Sequence, residues 1–216
     1  MFITLDGIDG VGKSTQIASL QSHLENAGHQ VVTVRDPGST EIGARLRSLL
    51  LDSDLTMHRR TEAMLFMASR CEMVETIIRP ALALGKVVIS DRFLLSTVVY
   101  QSIGDSEKQA IAPTDLWQLG RLANNGLIPD LTILLDLSAA TSMQRITGPT
   151  DRMESRGTGY MESVRQAFLQ QLPHSSPETM VIDAEQDIGS VASEIRRQVD
   201  EFLNRYQAAN NDQPLT

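Results

Sequence analysis

The 216-residue chain carries a formal net charge of −8 and a single cysteine, Cys71. That acidity argues against non-specific nucleic-acid binding, which needs a basic field, and one cysteine excludes an intramolecular disulfide or a cysteine-based metal cluster. With 41 % hydrophobic and 21 % charged residues, no basic leader ahead of its short first apolar run and no run near the ~18 residues of a membrane span, the chain reads as one cytoplasmic domain without a membrane partner.

Phe2-Ile3-Thr4-Leu5 reads as a first strand, and Ile17, Leu20, Leu24 and Ala27 recur on one face of a following helix. Between them Gly7, Gly12, Lys13 and Ser14 satisfy G-x-x-x-x-G-K-[ST], the phosphate-binding P-loop. Glycines let successive N–H groups turn inward as an anion-binding nest. The nest sits at a helix N-terminus, where the dipole favours negative charge. Gly7-Ile8-Asp9-Gly10-Val11-Gly12-Lys13-Ser14-Thr15 is therefore the expected nucleoside-triphosphate site, with Lys13 on the β/γ-phosphates and the Ser14 hydroxyl on Mg²⁺.

Gly28 suits the end of that helix, and Val31–Val34 reads as a second strand. Arg35-Asp36-Pro37-Gly38-Ser39-Thr40 breaks it with turn residues. A helix with Ile42, Leu46, Leu49 and Leu50 follows, Arg45 and Arg47 among them. A long helical pattern runs from Arg60 to Leu84, with a kink expected near Pro80, and carries Phe66, Arg70 and Cys71. Lys86–Ser90 reads as a third strand, Leu94–Gln101 as a helix, Ile103–Ala112 as a loop and Thr114–Asn124 as a helix. Leu131–Asp136 is apolar nearly throughout, as in a strand covered on both faces. Helix 138–147, loop 148–159, helix 160–172, strand Met180–Asp183 and a last helix with Ile188, Val191, Ile195, Val199, Phe202 and Tyr206 complete the pattern. The composition past about Ala209 predicts a disordered tail, 209–216, after a domain spanning 1–208. Five short apolar strands alternating with helices imply a five-stranded parallel sheet with helices on both faces.

Ligands of such sheets bind outside the carboxyl ends of the strands, where the polar clusters of this sequence fall. Asp91, directly after the third strand, is placed to hold Mg²⁺ or to cap the next helix. Arg47, Arg70 and Arg92 lie on three elements in apolar surroundings. They suit convergence on a second, acceptor phosphate, or each is an ordinary solvated arginine. The basic, glycine-flanked segment Arg145–Gly157 suits a lid over 148–159 that excludes water, or a charged surface loop.

Taken together, Gly7–Gln16, Arg35-Asp36-Pro37-Gly38, Leu46–Leu51, Phe66–Arg70, Asp91-Arg92-Phe93, Ser96-Thr97 with Tyr100-Gln101, Pro129–Thr132 and Asp151-Arg152-Met153-Glu154 resemble the thymidylate kinases of the nucleoside-monophosphate kinase group. The likeness spans about residues 3–184 in family order. It implies transfer of the ATP γ-phosphoryl group to dTMP, giving dTDP and ADP, with Mg²⁺. It implies that Asp9 meets the acceptor sugar and that Arg47 and Arg92 clamp the acceptor phosphate. Phe66 stacks on thymine, Arg70 bonds its edge, Ser96, Thr97 and Gln101 line the base site with Asp36 nearby, and Tyr100 excludes a ribose 2′-hydroxyl. Arg145 packs over adenine, with Gln186 in the loop closing that pocket. A homodimer is implied as well, through the helix of residues 60–84.

The sequence departs from the family at several points. Gly10 and Val11 stand where one branch carries a P-loop arginine, so the resemblance to the bacterial-type branch assigns that charge to the lid, to Arg152 first and Arg156 second. Asp36 replaces a usual Glu, Ser39 a glycine and Tyr160 a Phe, and Gly104–Lys108 lacks the usual Gly/Arg-rich wording. A kinase for dUMP, a modified deoxypyrimidine nucleotide or a free nucleoside stays open at this point. So does a nucleotide-dependent switch, although no Asn-Lys-x-Asp motif is present. A transport-type ATPase lacks its Ser-Gly-Gly signature here.

Overall fold

The computed structural model describes residues 1–52, 54–103, 110–145 and 157–211. Its centre is β1 (Phe2–Asp6), buried at every position. β1 pairs in parallel with β3 (Val87–Asp91) on one side and β4 (Leu131–Asp136) on the other. β2 (Val31–Arg35) adds to β3, and β5 (Glu178–Asp183) adds to β4. The order β2-β3-β1-β4-β5 gives the expected five-stranded parallel sheet.

β1, β3 and β4 are apolar along nearly their whole length because both faces are covered. α1 (Lys13–Asn26) packs with α9 (Ile188–Asn211), and α3 (Arg59–Met73), α5 (Leu94–Ser102), α6 (Pro113–Ala123) and α8 (Thr158–Gln171) pack among themselves. α2 (Glu41–Leu51) lies along α3, and α7 (Ala139–Arg145) along α8. The chain leaves β1 towards β2 but leaves β3 towards β4. Their neighbouring carboxyl ends are therefore the topological switch point, where such sheets bind ligands.

Sequence and structure differ mostly at element ends. Gly28 follows α1 at φ 91, and its N–H donates to the Glu25 carbonyl while that of His29 donates to Leu24, a Schellman closure. The long pattern from Arg60 is broken before Pro80. α3 ends at Met73, Val74–Ile78 widens into a π turn and α4 (Arg79–Ala83) resumes. Proline lacks an N–H and its ring crowds the carbonyl four residues back; here that is Thr76, inside the widened turn.

Thr158 and Gly159, placed by the sequence in the lid loop, belong to α8, whose N-cap is Gly157. The remainder of that loop, 148–156, lies outside the described residues, as does Gly104–Lys108. α9 runs on to Asn211, past the expected start of the tail, and 212–216 fall outside the description. No helix among the described residues is long and apolar enough to cross a membrane.

Candidate active site

β1 and β3 end side by side, and each hands its next residues to the site. After Asp6 the backbone turns through Gly7, Gly10 and Gly12 at φ 145, 77 and 92, conformations that a side chain resists. A Cβ on Gly7 would also meet the Leu135 carbonyl oxygen at 2.6 Å. Gly12 caps α1 without a side-chain bond, which leaves the first-turn N–H groups for an anion.

Lys13 folds back over this loop. Its Nζ donates to the Gly7 and Ile8 carbonyls at 3.1 and 2.8 Å and lies 3.8 Å from Asp9 Oδ1. Burial and the charge of Arg92 pull the ammonium down to about 8, against the opposing pull of Asp9, Asp91 and Asp6. Ser14 and Thr15 stand exposed on the same helical turn.

Past β3, Arg92 adopts φ 67, a left-handed conformation rare outside glycine and typical of functional sites. The guanidinium lies across the P-loop. Nη1 donates to the Gly7 carbonyl at 3.0 Å and to Ser96 Oγ at 2.9 Å, and Nη2 donates to Asp9 Oδ1 at 2.5 Å. Ser96 in turn donates to Asp6 Oδ1 at 2.6 Å. Beside it, the Tyr100 ring centroid lies 5.3 Å from Arg92 Cζ, and the Tyr100 hydroxyl donates to Asp9 Oδ2 at 3.4 Å.

Burial by itself raises the Asp9 carboxyl. The charges of Arg92 and Lys13 and hydrogen bonds from Arg92 and Tyr100 outweigh it and hold the group well below the usual carboxylate range. Asp9 is therefore a permanent anion near neutral pH, suited to orient cations and hydroxyls rather than to accept a proton.

A cavity of about 240 Å³ opens beside this cluster. Asp9, Asp36, Arg47, Phe66, Arg70, Arg92, Ser96, Thr97, Tyr100 and Gln101, the full acceptor-side set expected from the sequence, line it together. Arg35, Pro37, Leu51 and Phe93 also line it. All four lie in motifs already singled out, Arg35 and Pro37 beside Asp36, Leu51 at the end of Leu46–Leu51 and Phe93 after Asp91-Arg92, but the sequence alone marks none of them as a site residue.

Arg47 is half-buried with Nη1 on the Pro37 carbonyl at 3.0 Å. Burial, then the charges of Arg35 and Arg92, lower its ordinary value. Four arginines, Arg35, Arg47, Arg70 and Arg92, line the one cavity, and an anionic ligand relieves their mutual repulsion. At the other end Arg70, 1 % exposed, is held by Asp36 Oδ2 at 2.5 Å, Met67 Sδ at 3.0 Å, the Phe93 carbonyl at 3.5 Å and Thr97 Oγ1. Gln101 is fully buried with both amide atoms unpartnered.

A second cavity of about 570 Å³ lies across the P-loop. Gly10, Val11, Gly12 and Thr15 meet Arg145 and Gln186 there, and Arg145 Nη1 donates to the Ala184 carbonyl at 3.1 Å. Gln16 and residues 187, 188, 189 and 191 complete the wall. The sequence pattern passes over them because they read as helix start and helix face. Arg152 and Arg156 lie outside the described residues.

Asp91 Oδ1 and Asp6 Oδ2 are buried without hydrogen-bond partners close to the P-loop, and burial pushes the Asp6 carboxyl up. Hard oxygens of this kind fit Mg²⁺, which takes one or two carboxylates and fills its shell with phosphate and water. Among the described residues no group of three or more His, Cys, Asp or Glu could hold a metal unaided.

A P-loop between two cavities, one rich in guanidinium and one facing the helix N-terminus, is suited to phosphoryl transfer, which asks for positioning and charge neutralisation. The family model described as Thymidylate kinase matches residues 5–195. The chain is similar to the thymidylate kinase of Rhodopirellula baltica, with 62 % identity over 193 residues covering 89 % of this chain and 77 % of that one. It is 43 % identical to the thymidylate kinase of Clavibacter michiganensis over 91 % of this chain and 92 % of that one. For the thymidylate kinase of Thermosipho melanesiensis the figures are 37 %, 94 % and 100 %. The match covers both cavities and the turn between them, and the chain belongs to the thymidylate kinase family.

Proposed function

We propose that this enzyme transfers the γ-phosphoryl group of ATP to dTMP, releasing dTDP and ADP, with the guanidinium-lined cavity as the acceptor site and the cavity beyond the P-loop as the donor site. The family supplies the reaction. The observation that carries the site assignment is the hydrogen-bonded chain Asp6–Ser96–Arg92–Asp9, which spans the P-loop and borders the acceptor cavity.

In this reading the P-loop N–H groups and Lys13 cradle the triphosphate, and Arg145 and Gln186 border adenine. Arg92 and Arg47 clamp the acceptor phosphate, one of whose oxygens attacks the γ-phosphorus as the bond to the bridging oxygen of ADP breaks. Asp9 keeps Arg92 in place and faces the acceptor sugar. Phe66 packs on thymine, Arg70, Thr97 and Gln101 read its edge, Asp36 holds Arg70, and Tyr100 fills the space of a 2′-hydroxyl. Such a reaction asks for alignment and charge neutralisation and needs no covalent protein intermediate. Mg²⁺, bound with ATP, neutralises phosphate charge, and Ser14 and Asp91 are the residues to hold it. Arg152, with Arg156 as the second candidate, is the residue we assign to bring charge to the transferring phosphoryl. The enzyme works in the cytoplasm as a homodimer that covers Met64, 55 % exposed on α3.

The test is ADP release from Mg-ATP against a panel of nucleoside monophosphates and thymidine, with a blank lacking acceptor. Fast turnover with dTMP, slower with dUMP and negligible with thymidine is the expected result. ADP release independent of any acceptor, or a preference for thymidine, overturns the reading. Arg152→Ala is expected to lower kcat by about 10³-fold or more with little change in KM, the signature of charge delivered in the transition state. Rapid-quench and steady-state kinetics check this, and an effect confined to KM would reassign Arg152 to ground-state binding.

A further inference from the structure

Away from both nucleotide cavities, a third cavity of about 300 Å³ lies between the C-terminal end of α6, the turn into β4 and the turn before β5. Trp117, His174, Leu127, Ile128 and Pro129 form part of its wall. Within that wall sits Asn124, 1 % exposed, with both its amide nitrogen and its amide oxygen unpartnered. The backbone of Asn124 is pinned, its N–H on the Gly120 carbonyl at 2.9 Å and its carbonyl accepting from Arg79 Nη2 at 3.1 Å. The backbone is thus fixed while the side-chain amide, sealed in the wall, keeps a donor and an acceptor unmet, a costly arrangement that a complementary ligand reverses once the side chain turns into the cavity.

Phe93 lines this cavity and the acceptor cavity alike. It is 2 % exposed, its ring lies 5.4 Å from Arg70 Cζ, and its carbonyl receives Arg70 Nη2 at 3.5 Å. Leu94, the next residue in the third cavity's wall, opens α5, which carries Ser96, Thr97, Tyr100 and Gln101. A ligand pressing on Phe93 and Leu94 therefore bears on the residues that border the acceptor.

We propose that this cavity is a second small-molecule site, for a neutral planar heterocycle with an amide-like donor–acceptor edge, and that its occupancy alters acceptor affinity through Phe93. The aromatic wall takes the ring and the Asn124 amide takes the edge. By linkage, the ligand and dTMP change each other's affinity by the same factor.

Trp117 is the sole tryptophan of the chain, and its indole N–H donates to Gln171 Oε1 at 2.9 Å beside the cavity. Its ¹H–¹⁵N indole cross-peak therefore reports on this site in the whole enzyme. 2-Pyridone, with a ring amide, and nicotinamide, with an exocyclic one, are the probes, and toluene is the control without an edge. A saturable shift with one amide probe or both, with a Kd of the order of 1 mM for so small a molecule, is expected, together with a several-fold change in dTMP affinity by calorimetry. Asn124→Leu is expected to weaken the amide probes about tenfold and to leave toluene unaffected. Ile128→Phe, at a position 49 % exposed, should block all three, keep the fold even if Asn124→Leu does not, and leave Trp117 the sole indole signal. No saturable shift, or equal binding in both variants, overturns the site, and unchanged dTMP affinity at saturation overturns its effector role. Because the indole signal needs neither catalysis nor dTMP, binding here is read separately from the kinase assignment.

Discussion

The chemistry of single residues is set by what surrounds them. Lys13 is the clearest case, since burial and Arg92 bring it down to about 8 in the free protein. A bound phosphate raises it, so the complex holds a proton that the free enzyme loses as pH rises through 8. Nucleotide affinity should therefore be flat below about pH 8 and fall about tenfold per unit above it, until the bound-state value is passed. Calorimetry of ADP binding at pH 7 and pH 9 in buffers of different ionisation heat is the check. Proton uptake is expected at pH 9 alone, and equal uptake at both would remove Lys13 from phosphate contact.

Tyr100 makes a second prediction at this scale. Its ring packs edge-on against Phe168 at 5.8 Å while its hydroxyl reaches Asp9. Tyr100→Ala is expected to raise the ratio of UMP to dUMP turnover by about tenfold or more, if a lost steric block is worth about 1.4 kcal/mol. It should also cost about 3 kcal/mol of stability through the cavity left behind. Competition assays and chemical denaturation measure the two effects. Unchanged discrimination would reject the steric role.

At the scale of elements, two close contacts position the acceptor wall. α5 lies close on α6 because Gly120 lets Leu94 approach, since a Cβ there would lie 2.2 Å from Leu94 Cδ1. Gly120→Ala should overpack this contact, lowering stability by about 1–3 kcal/mol and raising KM for the acceptor as α5 shifts. Differential scanning calorimetry with a KM measurement tests this, and a more stable variant would show that α6 yields freely. Similarly, a Cβ on Gly43 of α2 would meet Thr40 Oγ1 at 2.9 Å and Ser69 Oγ of α3 at 3.0 Å. α2, which carries Arg47, thereby lies close on α3, which carries Phe66 and Arg70. In the sequence these glycines look like weak points of their helices. Only the neighbouring helix explains them.

The whole molecule couples binding to stability. Four guanidiniums line the proposed acceptor cavity and repel one another in the free protein, so a ligand that brings an anion should stabilise the fold beyond its contacts. dTMP at a hundred times its Kd should add about 2.7 kcal/mol, or about 5–10 °C in Tm for a chain of this size. Thymidine at the same concentration should add much less, for want of an anion to meet Arg47 and Arg92. Thermal denaturation distinguishes them, and equal shifts would mean that the cavity does not read the phosphate.

Taken alone, the sequence determined the strands, their parallel arrangement and the P-loop, and its resemblance to a family named ten residues that the fold brings to one cavity. The strands and the P-loop depend on local chemistry: apolar runs covered on both faces, and glycines at positive φ. It also located the break in the long helix near Pro80, although the π turn ahead of the proline follows from steric demand on Thr76, which a one-dimensional pattern does not carry. Only the tertiary structure decided that Arg92 turns back at φ 67 to join Asp9 and Ser96, that Phe93 divides two cavities, and that Asn124 is buried with its amide unmet. Each of these sets residues from distant parts of the chain against one another. Their energies come from desolvation and charge at separations fixed by packing, and residue order along the chain does not encode those separations locally.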